Sequence, residues 1–71
     1  MRGKRFNIKT PTIAIDRSEH ATNLVPIPAG TIVTVLSDFV DDNRLLDVQL
    51  NDRIVMMFTR DLFERGEKLE D

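Results

Sequence analysis

The chain has no cysteine, tryptophan or tyrosine, one histidine and three glycines among its 71 residues. Without cysteine there is no disulfide framework, no thiolate metal site and no thiol nucleophile. His20 sits in the polar stretch DRSEHATN with no second imidazole and no orienting partner, so it reads as a solvated loop residue. The scattered glycines form no phosphate cradle, and Ser18, Ser37 and the threonines have no matching His/Asp arrangement. Asp38, Asp41 and Asp42 supply oxygen ligands but lack the glycine turn and distal bidentate glutamate of an EF-hand loop. These absences predict a chain that is not an enzyme, with no metal site and no cofactor.

Long apolar runs are also missing, and MRGKRFNIK at the amino end has basic residues without an apolar segment behind them. No membrane association and a cytoplasmic location are expected. A chain of this length makes one domain, residues 1–71, that buries only roughly 60% of its unfolded surface. Hydrophobic residues at 41% and charged residues at 31% suit a domain that folds on packing alone. The formal charge of −2 conceals a polarity: residues 1–35 carry five Lys/Arg against two Asp/Glu, residues 36–71 five against ten. Such halves favour head-to-tail self-association or a local anion contact.

What is present reads as strands almost throughout. FNIKTPTIAI alternates imperfectly through Phe6, Ile8, Ile13 and Ile15, and Pro11 makes it one broken or edge strand. Pro26 and Pro28 lack backbone donors, so residues 25–29 are expected to run extended without regular ladder pairing before Ala29-Gly30 turns the chain. In TIVTVL, Val33 and Val35 share one face and Ile32, Thr34 and Leu36 the other. SDFVDDNR, residues 37–44, has a loop composition. LLDVQL and RIVMMF flank Asn51-Asp52 as a hairpin. TRDLF is short for a helix, so a single 3₁₀ turn capped by Thr59 is expected to press Leu62 or Phe63 onto the core. The charged tail is expected to fray beyond Gly66.

VPIPAGTIVTVL and LLDVQLNDRIVMMFTRDLF together resemble a Src-homology-3-like domain, the second resembling its distal hairpin and closing 3₁₀ turn. The resemblance covers residues 24–66 and implies an all-β, five-stranded barrel over residues 6–65, with flexible segments at 1–5 and 66–71. It implies a core of Val25, Ile27, Val33, Val35, Val48, Met57 and Leu62; alternation independently selects Val33, Val35 and Val48. The chain departs from peptide-binding members where they carry paired tryptophans, having Leu45 and Leu46, and around the closing turn, having Phe58 and Asp61. A chain without Trp or Tyr lacks the aromatic walls that hold proline-rich ligands, so PxxP binding is not expected.

Two binding functions follow. Phe39, Val40, Leu45, Met56 and Phe58 exceed what so small a core can hold, and together they form a candidate face for another protein or a second copy of the chain. The alternative is nucleic-acid binding through Arg2, Lys4 and Arg5. An isoelectric point near 5.3 and an acidic second half oppose it.

Overall fold

The computed structural model describes residues 2–17, 21–37 and 44–69. Seven strands and one helix follow in chain order: β1 (Arg5–Ile8), β2 (Thr12–Asp16), β3 (Asn23–Ile27), β4 (Ile32–Val35), β5 (Leu45–Leu50), β6 (Arg53–Phe58), α1 (Thr59–Arg65) and β7 (Gly66–Lys68). The strands form one antiparallel sheet in the order β3-β2-β6-β5-β4-β1-β7, with β3 and β7 as its free edges. The fold is therefore mostly β, as the sequence implies, but the sheet is open and has seven strands instead of five.

Three segments depart from the expected strand layout. Pro11 does not merely weaken one strand: it separates β1 and β2, which lie four places apart in the sheet. Residues 23–27 pair in full register with β2, from Asn23 opposite Asp16 to Ile27 opposite Thr12, whereas the sequence predicts an extended segment without regular pairing over residues 25–29. Pro26 is tolerated because β3 is an edge strand, where a missing donor need not break a ladder. Residues 66–68, expected to fray, pair with β1 as β7, and the Leu69 N–H donates to the Arg5 carbonyl at 2.8 Å. Ahead of β1, Gly3 donates to the Val35 carbonyl and Val35 donates to that of Lys4, so the amino segment runs along β4.

One face of this sheet supplies the core. Phe6 and Ile8 of β1, Ala14 of β2, Ile27 of β3, Val33 and Val35 of β4, Leu46, Val48 and Leu50 of β5, and Val55 and Met57 of β6 are all buried, with Leu62 of α1 set among them. Val25 is half-buried against the cluster. A flat sheet under a seven-residue helix could not cover so many side chains. The shortest principal extent is 23 Å, far thicker than one layer of strands, so the sheet curls around its own apolar face. The radius of gyration, 11.1 Å, is about that of a compact chain of this length.

The hairpin between β5 and β6 has the expected two-residue turn, Leu50 standing opposite Arg53. Asn51 takes a φ of 54°, which asparagine tolerates better than most residues. After β6 the chain makes α1, a short α-helix in place of the expected 3₁₀ turn. Phe58 is its N-cap and offers no side-chain bond. Thr59 instead donates from both N–H and Oγ1 to the Arg44 carbonyl, each at 3.0 Å, fastening the first turn to the start of β5. Asp61 in the first turn and Arg65 in the last complement the helix dipole and bridge at 2.7 Å.

The helix ends at Gly66, whose N–H returns to the Leu62 carbonyl. A Cβ placed on Gly66 would lie 2.6 Å from that carbonyl oxygen, and the atom it meets is backbone. Gly66→Ala is expected to destabilise the fold by about 1–3 kcal/mol, because helix and β7 must move apart to admit one methyl group. A chemical-denaturation midpoint equal to that of the parent would refute this.

Candidate outer-face groove

The residues facing away from the core separate into polar and apolar regions. On β6, Ile54, Met56 and Phe58 alternate with the buried Val55 and Met57. Across the ladders Phe58 stands opposite Leu45, and Met56 opposite Ile15. In the β2/β3 hairpin Ile15 faces Leu24 and Ile13 faces Pro26. One stripe of outward apolar side chains thus runs across β3, β2 and β6. Ile13 is 53% exposed, Leu24 67%, Ile54 58% and Phe58 56%.

Beside this stripe lies an open groove of about 610 Å³, lined by Pro11, Thr12, Ile13, Ile15, Leu24, Phe58, Asp61 and Arg65. Its polar corner is built by Arg65. The Arg65 carbonyl accepts from the Lys9 and Thr10 N–H groups at 2.7 and 3.2 Å, and its Nη1 donates to the Pro11 carbonyl at 3.2 Å. Its Nε meets Asp61 Oδ1, while Asp61 Oδ2 accepts from the Thr12 hydroxyl. These bonds hold the connection between β1 and β2 against the end of α1, which fixes one wall of the groove to the other. At the far end of β2, Asp16 meets Arg53 at 3.4 Å.

Three of the five residues expected at an interaction face come together here: Phe58 is exposed, and Met56 and Leu45 are half-buried beside it on the same outer surface. Phe39 and Val40 lie outside the described residues, as do His20 and the acidic Asp38, Asp41 and Asp42. Adjacent methionines take opposite roles, Met57 filling the core and Met56 facing out.

Ile13, Ile15 and Leu24 were missed as surface residues. TIAID has apolar groups on both faces, and the smaller Ala14 points inward, so hydrophobicity ranks the two faces in the wrong order. The usable signal was Pro26, which marks an edge hairpin whose outer side is incompletely covered.

Arg2, Lys4 and Arg5 are all exposed, and none of them lines the groove. Among the described residues there is no cluster of three or more His, Asp or Glu side chains placed to hold a metal ion. Nor, among them, is any helix long and apolar enough to cross a membrane. Comparisons with protein-family models, curated proteins and solved structures find no match to this chain.

Proposed function

We propose that the chain is a non-catalytic protein-interaction or assembly module of the Src-homology-3-like kind, working in the cytoplasm through the outer face of β3, β2 and β6. The observation that carries this reading is the apolar stripe of Ile13, Leu24, Ile54 and Phe58, four large side chains each more than half exposed. Scattered exposed apolar residues are ordinary, but a contiguous group beside a groove marks a contact surface. The Src-homology-3-like resemblance is supported by the tight β5/β6 hairpin running directly into one short helix. Aliphatic groups and one phenylalanine line the groove, a surface suited to aliphatic and aromatic anchors more than to stacked proline rings.

The test is capture by the immobilised chain, with nuclease treatment and a salt series. One identified protein is expected to remain after both treatments. Phe58→Ser should weaken its binding at least about 30-fold, the scale of a central interface residue. Ile32→Ser, which alters an exposed apolar residue of β4 outside the face, should leave it unchanged. Because Phe58 is exposed, the melting temperature of Phe58→Ser should move by no more than about 2–4 °C. Retention of nucleic acid alone, lost at high salt and on replacing Arg2, Lys4 and Arg5, would overturn the proposal in favour of phosphate binding.

A further inference from the structure

Resting on the interaction-module reading, we infer that the occupant of this outer face is a second copy of the chain, docked face to face about a twofold axis. The sheet edges leave faces as the better route to self-association. One edge, β3, carries Pro26 and so lacks a donor. The other, β7, is three residues long and presents Glu67 and Lys68. A short charged edge and a proline edge are both poor templates for an added strand.

The amount of apolar surface suits a dimer. Ile13, Leu24, Ile54 and Phe58 are 53%, 67%, 58% and 56% exposed. At side-chain areas on the order of 150–200 Å², they leave roughly 400 Å² of apolar surface open. An interface of standard size buries about 800 Å² per partner, of which roughly 56–65% is apolar. The stripe alone therefore approaches the apolar share of one such face, and the half-buried Ile15 and Met56 extend it.

Charge does not oppose such a contact. The acid and the base that line the groove, Asp61 and Arg65, are already paired at 2.7 Å, so a second copy meets no uncompensated charge there. The other pair, Asp16 with Arg53, shares the strand positions of the buried Ala14 and Val55 and lies on the core side of the sheet, outside the contact.

The geometry also replaces the head-to-tail association expected from the charged halves. In sheet order the strands of the basic half, β3 and β2, are followed by β6 and β5 of the acidic half, then by β4 and β1. The halves interleave and leave no two opposed poles. An isologous contact closes at two copies, where a head-to-tail one extends.

Sedimentation equilibrium on the intact chain, from micromolar to submillimolar concentration, tests the inference. A monomer–dimer equilibrium is expected, with Phe58→Ser and Leu24→Ser each raising the dissociation constant at least about 30-fold while far-ultraviolet circular dichroism stays unchanged. Ile32→Ser should have no effect. A chain monomeric throughout that range overturns self-docking, as does a dimer indifferent to both face variants or an assembly that continues beyond two copies. A monomer that still binds an identified protein through Phe58 leaves the interaction-module reading standing. One whose capture of partners ignores Phe58 removes both.

Discussion

Phe6→Ala is expected to lower the free energy of unfolding by about 3–5 kcal/mol. Phe6 is 1% exposed and sits in the middle of β1, opposite Val33 of β4 and Lys68 of β7. Its ring meets that of Phe63 edge-on with centroids 5.6 Å apart, so truncation removes an aromatic contact as well as core volume. Relaxation cannot easily fill the space, since β1 is held on both sides by paired strands. At roughly 0.05–0.15 kcal/mol per residue, a chain of this length has only about 4–11 kcal/mol of stability, so the loss is a large part of the total. Urea denaturation followed by circular dichroism gives the value directly. A midpoint lowered by less than a fifth would mean that the core is not organised around β1.

Leu62→Ala is expected to cost about 2–5 kcal/mol and to act on the groove as well as on the core. Leu62 is fully buried, and it is the only aliphatic side chain of the seven-residue helix. A helix that short has little intrinsic stability and depends on its packing. Once α1 loosens, Asp61 and Arg65 lose their fixed positions, and with them the bonds that hold Pro11 and Thr12 at the groove wall. Leu62→Met conserves volume and should cost less than about 1.5 kcal/mol while keeping partner affinity. If Leu62→Ala lowered stability and left outer-face binding untouched, the groove would not depend on the helix as the hydrogen bonds indicate.

The parts legible in the sequence were those specified by neighbours along the chain. β5, its two-residue turn and β6 were readable because the alternation of LLDVQL, the turn residues Asn51-Asp52 and the apolar run of RIVMMF agree on one hairpin. Val33, Val35 and Val48 were readable as core because β-branched residues in an alternating strand leave little choice of face. Where the chain was misread, a distant partner decides the structure. β7 has no apolar residue and is a strand because the Gly66 approach to Leu62 brings it beside β1. β3 pairs despite two nearby prolines because β2 offers a complete partner. The helix outgrew the expected turn through Arg65, which reaches both Asp61 and the Pro11 carbonyl, a contact across 54 positions of chain. Of the groove, Phe58, Met56 and Leu45 could be selected as apolar excess, whereas Ile13 and Leu24 become surface residues only after the hairpin finds β6.

The place of β1 between β4 and β7 has a consequence for how the molecule is made. The β2/β3 and β5/β6 hairpins join residues close in sequence and can form soon after they emerge from the ribosome. β1 emerges before the other described strands, yet its β7 partner emerges after all of them: Phe6 pairs with Lys68 and Ile8 with Gly66. Until then Phe6 and Ile8 lack their final cover and the core stays open along one side. Contacts between such remote segments carry a loop-closure cost that hairpins avoid, so completion of the sheet is expected to be the slow step. A nascent chain arrested before residue 66 should therefore remain protease-sensitive throughout, although most of its strands have already been translated.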